Sequence, residues 1–180
     1  GVEARLAWMR CAHPYAQPTT AHAATTPTRA DLSAVRTPMV FVHSLAEILA
    51  PLSAGTPLLL LPPRATARPD DLAAALGTWR ATRLLLVPTA LRMLVDALRA
   101  LPPRTRLPHL RLLCVSGEPL PHRLCDAARA MLPHVTLLNM YGSTECAGDV
   151  ACLAMPPESP IGDDGLCPIG QPIGGNDVRI

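Results

Sequence analysis

A short polar stretch that directly follows an apolar run is the part of this sequence best suited to chemistry. It reads "YGSTE", residues 141–145, and it comes after the apolar run "LLNM". A glycine turn presents backbone N–H groups, Thr144 adds a hydroxyl and Glu145 adds a carboxylate. This set suits a phosphate bound with Mg²⁺, which prefers oxygen ligands and retains water. Taken alone the stretch is a weak signal, because Gly-Ser-Thr-Glu also forms ordinary turns and helix caps.

The elements that position this stretch alternate between apolar strands and amphipathic helices. Four short runs are predicted strands: "TPLLLLPP", "RLLLVP", "LRLLCVSG" and "VTLLNMYG". Between them, "RPDDLAAALGTWRAT" and "TALRMLVDALRAL" carry apolar residues at helical spacing, and a third helix follows Glu118. This alternation predicts an α/β fold with a largely parallel sheet and flanking helices. Ligands bind beyond the carboxyl ends of such strands, so we expect "VSGEP" and "MYGSTE" to lie side by side.

The two ends of the chain are less regular than its middle. Val2, Leu6 and Arg10 follow a fourfold spacing that predicts the end of a helix, whereas residues 11–40 show no clear period. The Gly- and Pro-rich stretch from residue 156 reads as loops, with "DVRI" opening a strand. The length of 180 residues favours a single domain.

Composition excludes several classes of function. The net charge of +2 and the scattered arginines give no basic stripe, so no nucleic-acid surface is expected. The six cysteines show neither CxxC spacing nor a zinc signature, which is typical of reduced thiols in a cytosolic protein. No signal peptide and no apolar run long enough to span a bilayer is present, so we expect a cytoplasmic protein. The first residue is not Met, and we expect a piece of a longer chain.

Five ordered segments share a pattern with one known group of enzymes. They are "FVHSLAEILAPLSAGTPLLLLP", "LLLVPTALRMLV", "LCVSGEPLP", "LLNMYGSTE" and "CPIGQPIGGNDVRI". "LLNMYGSTE" resembles the Asn-x-Tyr-Gly-x-Thr-Glu signature of the adenylate-forming superfamily, which includes acyl-CoA synthetases and nonribosomal peptide synthetase adenylation domains. The other four resemble this superfamily's segments in the same order, and "RLAWM" resembles the helix after its phosphate loop. The resemblance implies that residues 1–180 are part of the large N-terminal subdomain of an AMP-binding (adenylation) domain.

The resemblance implies an ATP site with Mg²⁺. The implied nucleotide-binding residues are Gly117, Glu118, Pro119, Asn139, Tyr141, Gly142, Ser143 and Thr144. Asn139 would bind the adenine edge and Tyr141 would stack on the ring. Thr144 would hydrogen-bond the α-phosphate and Glu145 would hold the metal, so both carry implied catalytic roles. The implied reaction is attack of a carboxylate on the α-phosphorus, which gives an acyl-adenylate and pyrophosphate and needs mainly positioning and charge neutralisation.

The family's substrate-lining positions suggest which acid is activated. In this sequence they are Val42, His43, Ala46, Leu86, Cys114, Ser116, Met140, Gly148 and Asp149. Domains for α-amino acids usually carry Asp at the position of Val42, so an α-ammonium would here be buried without its partner. The pattern resembles β-alanine-activating enzymes, once called aminoadipate-semialdehyde dehydrogenases, and implies that Asp149 binds the ammonium of β-alanine or another ω-amino acid. His43 departs from that pattern, which usually has a second Asp there.

Other interpretations stay open on the residues alone. Apolar lining residues also fit a fatty or other carboxylic acid, although an alkyl tail would leave the Asp149 carboxylate unpaired. A third candidate is a degenerate, noncatalytic module. A hydrolase is excluded, because "CVSGE" lacks the Gly-x-Ser-x-Gly elbow.

The resemblance also implies parts that this sequence does not contain. The lysines that the family uses would belong to a phosphate loop before Gly1 and a C-terminal subdomain, and the 180 residues contain no lysine. We therefore expect the piece alone to be inactive. In the longer parent chain, the acyl acceptor would be phosphopantetheine, on CoA or on a carrier domain of the same chain.

Overall fold

The fold is an α/β sheet with helices packed on both faces. The structure is a computed structural model that describes residues 1–17, 30–157 and 165–177. Within these ranges the helices are α1 (Val2–Ala12), α2 (His43–Ser53), α3 (Pro63–Ala67), α4 (Pro69–Trp79), α5 (Pro88–Arg99) and α6 (His122–Met131), with a 3₁₀ turn at Pro103–Thr105. The strands are β1 (Ser33–Val35), β2 (Leu58–Leu60), β3 (Arg83–Leu86), β4 (Leu112–Val115), β5 (Thr136–Ser143), β6 (Gly148–Met155) and β7 (Gln171–Pro172).

The strands form one sheet in the order β2-β1-β3-β4-β5-β6-β7. The pairings from β2 through β5 are all parallel, whereas β6 and β7 are antiparallel to their neighbours. The prediction of a largely parallel α/β sheet is therefore confirmed. Three strands were not predicted, namely β1, β6 and β7. The "DVRI" prediction falls mostly outside the described residues.

The central helices follow the predicted spacing. Helix α5 begins at Pro88, whose missing N–H costs nothing at the first helical position, and it buries Leu91, Leu94, Val95 and Leu98 on one face. Helix α4 likewise begins at a proline and carries two aspartates in its first turn, where they complement the helix dipole. Helix α1 confirms the fourfold spacing at the start of the chain. No helix in the described part of the chain is both long and apolar enough to cross a bilayer.

The sheet separates two hydrophobic cores, because successive side chains of a strand point to opposite faces. On β3, Leu84 and Leu86 pack into the larger core with α4, α5 and α6. Leu85 joins the smaller core on the other face, with Met9 of α1 and Ala50 of α2. The smaller core supports the edge of the sheet at which the loops after β4 and β5 lie.

Candidate functional site

The two polar loops predicted to be neighbours line one cleft of about 650 Å³ at the carboxyl edge of the parallel strands. Gly117 and Glu118 follow β4, and residues 142–145 lie at the end of β5 and in the turn after it. The opposite wall comes from the segment between β1 and α2, including Val42, and from His43, the first residue of α2. The cleft therefore has the position expected for a ligand site in an open α/β sheet.

A second pocket of about 300 Å³ adjoins the cleft and brings the predicted adenine-binding residues together. Its lining residues are Gly117, Glu118, Pro119, Leu120, Asn139, Met140, Tyr141, Gly142, Leu166, Cys167 and Ile169. The Asn139 amide donates to the Pro168 carbonyl at 2.8 Å and to the Cys167 carbonyl at 3.4 Å, so its orientation is fixed by the segment before β7. The Tyr141 ring is 52% exposed and leaves a flat face available for stacking.

The loop after β4 is held in place by a helix cap. The Glu118 Oε2 accepts a hydrogen bond from the Thr89 N–H at 3.0 Å and another from the Thr89 hydroxyl at 2.6 Å. Thr89 is the second residue of α5, where the backbone N–H has no partner within the helix. Glu118 thus accepts a hydrogen bond from an N–H group that has no partner within α5, and this fixes the loop after β4 to that helix.

The turn between β5 and β6 depends on a close approach of two backbones. A Cβ on Gly142 would overlap the Gly148 carbonyl oxygen and lie 2.5 Å from the Asp149 Cα. The pairing register shifts between Tyr141 and Gly142, which is a β-bulge. Only glycine fits at this position, and the bulge precedes the turn at residues 144–147, of which Thr144 and Glu145 line the cleft.

Glu145 lies in this turn and is exposed to solvent. Hydrogen bonds from its own backbone N–H and from the Ser143 hydroxyl lower the pKa of Glu145, so its carboxylate is ionised at neutral pH. An ionised, accessible carboxylate beside two hydroxyls fits Mg²⁺, which takes one or two protein carboxylates and completes its shell with water and substrate phosphate. The described residues contain no cluster of three or more His, Cys, Asp or Glu for a closed metal site.

The opposite side of the cleft contains a buried charged network around Asp149. The side chain of Asp149 is fully buried, and its Oδ1 accepts a 2.6 Å hydrogen bond from the Ser116 hydroxyl. The His43 Nε2 lies 3.0 Å from the Ser116 Oγ and 3.4 Å from the same Asp149 oxygen. Three of the predicted substrate-lining residues are therefore in direct contact.

Sequence reasoning missed Arg5, the cation of this network. Its Nε donates to the Asp149 Oδ2 at 2.7 Å, and its Nη2 donates to the same oxygen. Arg5 is 5% exposed, and it shares the buried side of α1 with Met9, one helical turn further on. A charged residue at the buried position of a short helix was the available signal, because such a residue requires a partner.

The network keeps the Asp149 carboxylate ionised. Burial alone raises the pKa of Asp149, but this effect is outweighed by the hydrogen bond from His43, the charge of Arg5 and the hydrogen bond from Ser116. The resulting pKa lies well below the ordinary value of 3.8. Arg5 and Asp149 thus form a buried ion pair at neutral pH.

Five of the other predicted substrate-lining residues fall into three groups. A Cβ on Gly148 would lie 3.5 Å from the Arg5 Cδ and 4.0 Å from the Val42 Cγ2, which places Gly148 and Val42 beside the network. Ala46 and Cys114 line a small internal cavity of about 40 Å³ that Arg5 also lines. Met140 is 2% exposed, and it packs in the smaller core while also lining the second pocket.

The structure does not bring Leu86 to the cleft, which corrects the prediction for this residue. Its side chain is fully buried in the larger core, on the opposite face of the sheet. Leu85, its neighbour in sequence, lines the cleft instead. Because side chains alternate along a strand, an offset of one residue moves a lining residue to the wrong face.

The fold is that of an enzyme of the adenylate-forming type. The chain belongs to the AMP-binding enzyme family, whose model matches residues 10–180. Its architecture is that of part of the N-terminal subdomain of an adenylation domain.

Curated relatives include several nonribosomal peptide synthetases. The chain is 33% identical over 181 residues to the beta-alanyl-bioamine nonribosomal peptide synthetase ebony of Drosophila melanogaster, a match that covers 98% of this chain and 19% of that protein. It is 30% identical over 177 residues to enterobactin synthase component F of Escherichia coli K12, covering 98% of this chain and 13% of that protein. The chain thus spans about a fifth or less of the length of these relatives.

Solved structures of nonribosomal peptide synthetases have a similar fold. The synthetase FmoA3 (S1046A) matches with a TM-score of 0.80 and 25% identity, covering 96% of this chain and 17% of that one. The Vibrio cholerae adenylation domain AlmE, in complex with glycyl-adenosine-5'-phosphate, matches with a TM-score of 0.76 and 23% identity, covering 95% of this chain and 28% of that one.

Proposed function

We propose that this chain forms part of the site at which a longer parent protein activates a carboxylic acid with ATP. The acid attacks the α-phosphorus, an acyl-adenylate forms and pyrophosphate leaves. The acyl group then passes to the thiol of a phosphopantetheine, on a carrier domain of the same parent chain or on CoA. The AMP-binding family and the nonribosomal peptide synthetase relatives support this reaction class.

The chain's own residues would bind and orient the nucleotide. The pocket beside Asn139 would take the adenine, with the exposed ring of Tyr141 stacked on it. Thr144 would donate its hydroxyl to the α-phosphate, and Glu145 would hold Mg²⁺ in the adjoining turn. When bound, this metal ion neutralises charge on the phosphates. Holding the reactants in place in this way supplies much of the rate acceleration that a phosphate-centred transfer requires.

We further propose that the acid is an ω-amino acid such as β-alanine. The observation that carries this proposal is the buried, ionised Asp149, which offers an anion at one end of the pocket. Val42, in the place where related domains carry Asp, offers no charge near the α-carbon. The relative ebony is named for β-alanyl-bioamine synthesis, which supports the same class of acid.

A second candidate is an acid without an amino group, such as a fatty acid. It is favoured by the Arg5–Asp149 ion pair, because Asp149 already has a cationic partner. The expectation that an alkyl tail would leave this carboxylate unpaired is therefore wrong, since Arg5 supplies the partner from within the chain.

The test is ATP–pyrophosphate exchange by the full-length parent, with β-alanine, γ-aminobutyrate, α-amino acids and fatty acids offered separately. Exchange with β-alanine that falls at least about a hundredfold in Asp149→Asn, through loss of the ammonium's ionic partner, supports the ω-amino acid. Exchange with a fatty acid that is indifferent to Asp149→Asn supports the second candidate.

A variant pair separates chemistry from folding in the same assay. Glu145→Gln should lower exchange with every acid, whereas the exposed, distant Asp96→Asn on α5 should not. If the parent shows no exchange with any acid, the noncatalytic module is the correct interpretation. β-Alanine-dependent AMP formation by the 180-residue piece alone would contradict the expected inactivity of that piece.

A further inference from the structure

Arg5 contacts Asp149, one of the predicted substrate-lining residues, although Arg5 itself is not among them. Its guanidinium binds the Oδ2 of Asp149 through two donors. The stem of its side chain lies against Gly148, since a Cβ on that glycine would be 3.5 Å from the Arg5 Cδ. The same Cβ would be 4.0 Å from the Val42 Cγ2, so Val42 approaches on the same side. Arg5 is therefore in the place where the far end of the acid would bind.

The guanidinium is only partly satisfied. Its Nη1 is buried and has no hydrogen-bond partner among the described residues. The Glu47 Oε1 is also buried without a partner there, and Arg5 and Glu47 line the same cavity of about 40 Å³. The guanidinium and the Glu47 carboxyl thus border a mostly apolar cavity that is large enough for one water molecule.

The two oxygens of Asp149 have different environments. Oδ2 is taken by Arg5, whereas Oδ1 faces Ser116 and His43 on the cleft side. A substrate ammonium that binds either oxygen must come within a few ångströms of the guanidinium. Like charges at such a distance disfavour each other, and burial strengthens the effect.

We infer that Arg5 is a specificity-determining residue of the acid pocket. Its guanidinium occupies one of the two Asp149 oxygens that a substrate cation would approach, and it lowers the selectivity for an ω-amino acid over an uncharged acid of the same length. This inference rests on the proposed acid-activating function. Without Arg5, the Asp149 carboxylate would be free to pair with a substrate ammonium, and the preference would move toward ω-amino acids.

The test compares two acids that differ only in the ammonium group, β-alanine and propionate, in ATP–pyrophosphate exchange by the full-length parent at pH 8. In Arg5→Gln, the ratio of kcat/KM for β-alanine to kcat/KM for propionate should rise by about tenfold or more, because a repulsion at close range is removed. The change should lie mainly in the KM for β-alanine. Arg5→Lys keeps the charge, so its ratio should stay within about threefold of the unmodified protein.

Arg83→Gln is the matched control. Arg83 forms a second buried ion pair, with its Nε 3.1 Å from the Asp31 Oδ2, and it also donates to the His13 carbonyl. Its substitution breaks a comparable pair without changing the charge at Asp149, so the selectivity ratio should not move. An equal shift in Arg83→Gln would assign the effect to general loosening and overturn the inference.

Two further measurements cover an unstable or inactive variant. If Arg5→Gln does not fold by circular dichroism, the double variant Arg5→Gln/Asp149→Asn removes both charges, and its ratio should fall below that of Arg5→Lys. If no acid supports exchange, the proposed function fails, and calorimetric titration with β-alanine still tests Arg5 directly. Tighter binding of β-alanine to Arg5→Gln supports the inference, and equal or weaker binding overturns it.

Discussion

The Ser116 hydroxyl donates a 2.6 Å hydrogen bond to the Asp149 Oδ1 and so joins the loop that follows β4 to the start of β6. This contact is possible because β6 runs antiparallel to β5. Its first residues therefore reach the edge at which the parallel strands end. Asn139 and Tyr141, which are predicted to bind the nucleotide, and Asp149, which is predicted to bind the acid, thus lie on the two arms of a single hairpin.

Ser116→Ala should destabilise the protein by about 1–3 kcal/mol, because it removes a hydrogen bond to a buried charged acceptor. Urea unfolding followed by circular dichroism measures the change. Ser53→Ala provides the control, since its hydroxyl is exposed and donates only to the Ala50 carbonyl within α2. Equal losses in the two variants would contradict a special role for the Ser116 bond.

The pH dependence of stability should carry the signature of Asp149. Its pKa in the folded protein is lowered from the ordinary 3.8, so its contribution is fully present above about pH 4 and is lost as the pH falls through the folded value. The free energy of unfolding of the unmodified protein should therefore fall more steeply below pH 4 than that of Asp149→Asn. Urea titrations at pH 3, 4 and 6 measure this difference.

The contribution of Glu47 to the pH dependence of stability should have the opposite sign to that of Asp149. Burial raises the pKa of Glu47, and hydrogen bonds from Thr37 and Arg36 offset this only in part. A raised pKa means that the folded state favours the protonated carboxyl, so stability from this group is lost as the pH rises. Glu47→Gln should therefore gain stability relative to the unmodified protein between pH 4 and pH 7. A slope for Glu47→Gln that matches the unmodified protein between pH 4 and pH 7 would show that the pKa of Glu47 is not raised.

Two glycine-to-alanine substitutions should have opposite effects. Gly142→Ala places a methyl group against the Gly148 backbone and should cost about 2 kcal/mol or more, with loss of order in the turn at residues 144–147. Gly77 lies within α4 and has open space at its Cβ position, so Gly77→Ala should stabilise by about 0.5–1 kcal/mol. Thermal unfolding of both variants checks the signs. Destabilisation by Gly77→Ala, or tolerance of Gly142→Ala, would contradict the packing described.

The cysteines should fall into two reactivity classes. Cys11 and Cys146 are exposed, whereas Cys114, Cys125, Cys152 and Cys167 are buried. Burial raises the pKa of Cys114 and of Cys152 to about 12, so little reactive thiolate forms at these positions. Iodoacetamide at pH 7.5 should label the exposed pair at least about a hundredfold faster, as measured by mass spectrometry. Uniform labelling without denaturant would show that the core is open.

Helices α1, α4, α5 and α6 and strands β2 to β5 follow from local patterns, and the remainder does not. Helix α5 has a full set of apolar residues at helical spacing, and β4 is a continuous apolar run, so both are recognisable from sequence. Strand β1 has only three residues and follows an aperiodic stretch, which leaves no pattern to detect. Strand β6 begins at Gly148, inside residues that resemble a turn.

The site shows the same division. The Gly-Ser-Thr-Glu turn and the neighbouring loop after β4 are visible in sequence because each follows its own strand. The choice between Leu85 and Leu86 depends on which face of β3 is turned to the cleft, and an apolar run does not reveal it. The position of Arg5 one helical turn before Met9 signals that it needs a partner, but the choice of Asp149 depends on how α1 packs against the finished sheet.

The Arg5–Asp149 pair also orders the assembly of the molecule in time. The two residues are 144 positions apart, so their contact closes a loop that contains almost the whole sheet. Contacts of such sequence separation form late, because the entropy of closing the loop is recovered only when the intervening elements are in place. The pairing of β4 with β5, by contrast, joins strands that are neighbours in both sequence and space. The chain would therefore pair these two strands early, and Arg5 would reach Asp149 only when the intervening elements are in place.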